Sequence, residues 1–166
     1  MLVTLNDFRR NAEKDGLCNE FSQMWDSCTS KKQLMDMCLG SKGVDYLCDS
    51  IAKGWGISPE LISQKFANYI NGRYIFDNGK YSSMLYCNHK GEIQVETTLV
   101  TAVKCDMTIN VPKNVICKIY TTLSNLTLIG EGEAIVVHYG ESSQIACLSS
   151  TLNFKEIHKK EKDTYE

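Results

Sequence analysis

Apolar positions recur at intervals of three and four through the first seventy-odd residues, then the period changes from Arg73 onward to short β-rich pieces, with alternation plain from Ile93 to Leu99. The first spacing is one face of an α-helix and the second is a half-buried β-strand. Leu5 and Phe8 begin a short helix that Gly16 ends. Leu17, Phe21, Met24, Trp25 and Cys28 form a second stripe. Ser30-Lys31-Lys32-Gln33 reads as a capping box, opening a helix with Leu34, Met37 and Cys38 inward and Gly40 as its stop. Val44, Leu47, Cys48 and Ile51 make the next stripe, ending at Gly54. Ser58-Pro59-Glu60 opens a further helix, with Ser at the cap, Pro in the first turn and an acid on the helix dipole. It carries Leu61, Ile62, Phe66, Tyr69 and Ile70, and Asn71-Gly72 ends it.

Beyond it, Arg73–Phe76 and Lys80–Cys87 flank Asp77-Asn78-Gly79. Asn-Gly supplies the positive φ angles of a type I′ turn and predicts a hairpin. His89-Lys90-Gly91 reads as the next turn. Ile93, Val95, Thr97 and Leu99 then alternate with Gln94, Glu96 and Thr98. From Cys105 short β-rich pieces follow one another, four of them starting at Asn114, Asn125, Glu133 and Ser143, with spacings of 11, 8 and 10. Such spacing predicts a sandwich, barrel or solenoid, and its unevenness departs from a clean repeat. No long crossover helix separates the strands, which excludes a helix-linked parallel sheet. The expected fold is α+β: a short-helix domain over 1–72, then an all-β region over 73–157 favoured as a solenoid-like stack, with an antiparallel β-sandwich as the alternative. Residues 158–166 read as a polar tail.

The chain has 166 residues, enough for a core without metal or disulfide help. A net charge of −2 gives no global attraction to nucleic acid or to anionic membrane. No basic start leads into an apolar signal region, and no apolar run is long enough to span a bilayer. The eight cysteines therefore read as reduced thiols of a cytoplasmic protein, serving mainly as core residues.

Candidate chemistry is thin. Cys18, Cys28, Cys38 and Cys48 stand ten apart, which is neither one helix face nor the close pairs of a zinc site. Cys87 and His89, with Cys105, are a second metal possibility, weighed against ordinary strand roles. His138 lies in an apolar strand and His158 in the tail. No nucleophile elbow, P-loop or dinucleotide fingerprint is present. The expectation is no catalytic residue, no metal and no cofactor. Binding is the better use of what remains. Trp55 sits between two glycines, and Arg73 and Tyr74 follow a helix stop. With Tyr81 they are residue types that anchor interfaces. No Lys or Arg occurs between Lys118 and Lys155, so Glu131, Glu133 and Glu141 leave that stretch mildly acidic.

Two stretches carry a resemblance. GLCNEFSQMWDSCTSKKQLMDMC, from Gly16 to Cys38, is similar to a small helical module of phage and mobile-element proteins. GWGISPELISQKFANYINGRYIFDNGKYSSMLYC, from Gly54 to Cys87, resembles uncharacterised proteins of gut Bacteroidales phages and their hosts, although Lys80 interrupts the family's Gly-Tyr step. VVHYGESSQI, from Val136 to Ile145, is similar to the β-solenoid coils at the end of such proteins. The resemblance implies a mobile-element origin and no particular chemistry.

The resulting expectation is a protein that acts stoichiometrically on a host protein or ribonucleoprotein, for instance by inhibiting a bacterial defence system as anti-CRISPR proteins do. It includes no direct nucleic-acid or membrane binding. An oligomeric scaffold using exposed strand edges, or a nucleotide-binding pocket around Arg73, Tyr74 and Tyr81, is the alternative.

Overall fold

The change of period at Arg73 is a change of architecture. The computed structural model describes residues 9–10, 13–14, 19–54, 58–60, 62, 73–77, 79 and 82–159. Among these, α1 (Asn19–Ser27), α2 (Lys31–Leu39) and α3 (Ser41–Lys53) come first. Ten strands follow: β1 (Arg73–Asp77), β2 (Ser82–Cys87), β3 (Lys90–Gln94), β4 (Leu99–Val103), β5 (Asp106–Val111), β6 (Ile116–Thr122), β7 (Asn125–Gly130), β8 (Glu133–His138), β9 (Gln144–Cys147) and β10 (Asn153–His158).

The helix signals hold in detail, with shifts. Ser30 caps α2 by accepting the Gln33 amide at 3.2 Å. The return bond of the capping box moves back one residue, because Gln33 Oε1 accepts from the Thr29 amide at 2.7 Å. Gly40 ends α2 in an extended conformation and serves at once as the cap of α3. Gly54 ends α3 in the left-handed region, φ +71. Two facings differ from the stripes read in the sequence. Met24 is exposed, and in α2 the buried residues are Leu34, Met35 and Leu39, with Met37 and Cys38 half-buried. The reason is tertiary: α2 packs against α3 and β2 together, which widens and rotates its buried face. The helix expected from Ser58 is present at Pro59, Glu60 and Ile62; its remainder lies outside the described residues.

The hairpin also forms. Its last described pair is Asp77↔Ser82, a register that does not centre on Asn78-Gly79; Gly79 takes φ +80, and Asn78, Lys80 and Tyr81 lie outside the described residues. The turn expected at His89-Lys90-Gly91 comes earlier, at Asn88 and His89, since Lys90 and Gly91 already belong to β3.

After this antiparallel hairpin every pairing is parallel, and the strands stack as a β-solenoid of about four turns. One face is a six-stranded sheet, β1-β2-β4-β6-β8-β10, and the other a four-stranded sheet, β3-β5-β7-β9. Along the four-stranded sheet Asp106 pairs with Asn125 and Asn125 with Gln144, each 19 residues on. The uneven spacings of 11 and 8 in the sequence are the two unequal halves of one such coil.

Corner geometry repeats as well. Where the chain leaves the six-stranded sheet, Asn88, Lys104, Leu123 and Gly140 have φ of 54, 51, 57 and 68 on successive coils. Hydroxyls then tie one coil to the next: Ser124 Oγ accepts the Cys105 amide at 3.0 Å, and Ser143 Oγ accepts the Ser124 amide at 3.1 Å. At the opposite corner Gly130 has φ +120, and a Cβ there would lie 2.1 Å from the Val111 oxygen of the preceding coil. Only glycine lets the two backbones approach this closely.

Two hydrophobic clusters share the six-stranded sheet. Its inward residues Met84, Tyr86, Val100, Ala102, Ile119 and Val136 meet Met107, Ile109, Leu126 and Leu128 of the other sheet. Its outward residues Leu85, Cys87, Leu99, Val103, Val137 and Tyr139 lie under Leu39, Leu47, Cys48 and Ile51 of the helices. Burial on both faces explains the continuous apolar run of β4, while β5 alternates. The Tyr139 hydroxyl, donating to Asp45, fastens α3 to the end of β8. Burial pushes this phenol's pKa up.

Candidate functional site at the open end of the solenoid

The inward positions form ladders that run from coil to coil. One rung set is Met84, Val100, Ile119, Val136 and finally Glu156. The neighbouring set is Tyr86, Ala102, Thr121, His138 and finally His158. Both begin apolar and end polar. Thr121 is satisfied within the stack, its hydroxyl donating to the Ala102 carbonyl at 2.9 Å. The last two rungs belong to β8 and β10, and β10 ends its sheet as β9 ends the other.

A side-chain cluster results. His138 is buried, with 4% of its surface exposed, and its Nε2 lies 3.0 Å from Glu156 Oε1. The His138 and His158 rings stack with centroids 4.3 Å apart and planes 10° apart. One ligand-type atom from each of the three residues falls within 4.8 Å of the others. Strand geometry makes this possible: Glu156 and His158 are two apart on β10 and so share a face, while parallel register sets His138 directly beside His158. His138 thus faces inward on its strand, with Glu156 as its partner.

The same end carries exposed apolar surface. Leu148, just after β9, is 73% exposed, and Ile157 on the outer face of β10 is 48% exposed.

The three candidate acids do not come together. Glu131 is exposed in the turn before β8, Glu133 is the half-buried first residue of β8, and Glu141 is exposed beyond its far end. Six residues of strand, about 20 Å, separate the first pair from the third, so the three acids form no single patch. Arg73 and Tyr74 lie in β1, paired with Tyr86 and Leu85; their side chains, with Trp55 and Tyr81, lie outside the described residues.

The cysteines behave as core. No disulfide joins those described; Cys48, Cys87, Cys105 and Cys117 are buried. Burial pushes the thiols of Cys105 up to about 11 and of Cys38 and Cys117 up to about 12. Cys87 and Cys105 do not converge as ligands. Cys87 belongs to the helix-side cluster, its Sγ 3.4 Å from the Pro59 carbonyl, and Cys105 to the solenoid interior. Cys18 lies outside the described residues.

Glu156 and His158 are the residues that sequence reasoning passed over. The β-rich piece was read as ending before His158, which belongs to β10 rather than to a tail. No helix among the described residues is long and apolar enough to cross a membrane. No family model, curated protein or solved structure matches the chain.

Proposed function

We propose that the chain is a binding protein that acts stoichiometrically on a partner protein, docking through the open end of its solenoid. The observation that supports this is the terminal coil. Among the described residues β9 and β10 are the last strands of their sheets, with Leu148 and Ile157 exposed beside them. An outer strand edge offers a row of backbone donors and acceptors to an added strand, and adjacent apolar side chains supply pockets and affinity. In the mobile-element setting that the resemblance implies, the partner is a host protein or ribonucleoprotein, and inhibition of a defence system is the concrete outcome.

The test is affinity capture from a bacterial lysate with the native chain and with Leu148→Lys/Ile157→Lys, a pair of exposed positions that leaves the core intact. A partner recovered at constant stoichiometry by the native chain and lost by the variant supports the reading. Equal recovery by both, or none, refutes it. Light scattering separates the scaffold alternative, because end-to-end assembly of this chain raises its mass with concentration.

A further inference from the structure

The geometry points to a divalent transition-metal site, of the class that takes Zn²⁺, formed by His138, Glu156 and His158 at the end of the solenoid interior. It rests on these three side chains and is independent of the proposed partner. Two imidazoles and a carboxylate are the donors such an ion prefers, and three protein ligands leave one position for water. With metal–ligand bonds of about 2.0–2.2 Å, tetrahedral donors stand about 3.3 Å apart. Nε2 of His138 and Oε1 of Glu156 are already 3.0 Å apart, and the whole set lies within 4.8 Å.

An imidazole binds a metal close to its own ring plane. Two nearly parallel rings 4.3 Å apart cannot both do so, so binding opens the stack. The asymmetry of burial decides which ring moves. His138 is held inside the stack, whereas His158 is exposed at the strand end and free to turn edge-on.

The position matters more than the composition. Both ladders end on a polar rung, Glu156 in one and His158 in the other, in the last strand of the sheet. An ion bridging β8 to β10 would pin the last strand, which among the described residues has a neighbour on one side only. The ligands must be deprotonated to bind, so protons and metal compete for the site.

The test uses the untagged full-length chain, stripped with a chelator and titrated with Zn²⁺ by calorimetry and with Co²⁺ by visible absorption. The expected result is one ion per chain, a Co²⁺ spectrum without thiolate charge-transfer bands, and slower amide exchange in β10 on Zn²⁺ addition. Glu156→Gln and His158→Ala, both at exposed positions, should each weaken binding by at least the factor of about 10–100 that loss of an outer-shell partner costs. Cys147→Ser and His89→Ala should leave it unchanged, and circular dichroism confirms that each variant is folded. No stoichiometric binding overturns the inference. So does affinity unchanged in both ligand variants, or loss of the site in Cys147→Ser.

Discussion

Replacing Gly130 with alanine adds one methyl group where two coils touch. Two costs follow. The backbone there has φ +120, a region essentially reserved for glycine, worth about 1–3 kcal/mol. The new Cβ would also stand 2.1 Å from the Val111 oxygen and 2.8 Å from its carbonyl carbon. Both are backbone atoms of a paired strand and cannot swing aside, so relief requires coil displacement, at about 1–3 kcal/mol by analogy with overpacked cores. The total is about 2–6 kcal/mol. Gly54→Ala is the control. It shares the positive φ, +71, but nothing lies within 4 Å of its added Cβ. Its cost of about 1–2 kcal/mol for the left-handed conformation is offset by about 0.4–1 kcal/mol of reduced unfolded-state entropy. In a chain of this size about 2–4 °C of melting temperature corresponds to 1 kcal/mol. Thermal melting followed by far-ultraviolet circular dichroism should therefore show Gly130→Ala falling by about 10 °C, and Gly54→Ala by about 2 °C. In an antiparallel sandwich Gly130 would occupy an ordinary turn with no coil behind it. Equal losses for the two variants would refute the coil contact.

Three further outcomes follow from the same structure. Alkylation of the native protein should label exposed Cys147 first and leave Cys48, Cys105 and Cys117 protected until denaturant is added; uniform labelling, read by mass spectrometry, contradicts that burial. Stability should fall as pH rises above about 9, because the unfolded chain then releases thiol protons that the native state retains up to about 11 at Cys105 and about 12 at Cys38 and Cys117. Each such group contributes a slope of about 1.4 kcal/mol per pH unit between its unfolded and folded values, so urea midpoints that stay level from pH 8 to 10.5 would sink this account. Leu123 holds φ 57 and is 41% exposed, at the corner where an earlier coil uses Asn88. Leu123→Asn should raise stability by about 1 kcal/mol in urea unfolding, by placing there a residue that tolerates the left-handed region; a loss would show that the leucine side chain matters more than its backbone.

Much of the fold was legible because its rules are local. The Ser30 cap, the Gly54 stop and the hairpin before Cys87 depend on a few neighbouring residues, and each is present. What failed was also informative. The register of the hairpin, with Asp77 opposite Ser82, does not centre on Asn78-Gly79, the pair that the turn preference picks out. Met35 was buried although the stripe pointed to Met37, because α2 answers to two neighbours at once. The candidate site was less legible still. Cys87, His89 and Cys105 looked like a cluster by proximity in the chain, yet Cys87 packs under the helices and Cys105 into the solenoid interior.

By itself the sequence determined where helices give way to strands, that the strands are short and closely spaced, with a solenoid-like stack favoured over a sandwich, and that most cysteines read as apolar filler. Those properties follow from periodicity and from the burial preference of each residue, and both are written within a window of a few residues. The tertiary structure alone decided register. Parallel stacking joins residues about 20 positions apart, and corners of unequal length shift that offset from coil to coil. It is register that sets His138 beside His158 and Glu156, three residues whose meeting no local pattern specifies.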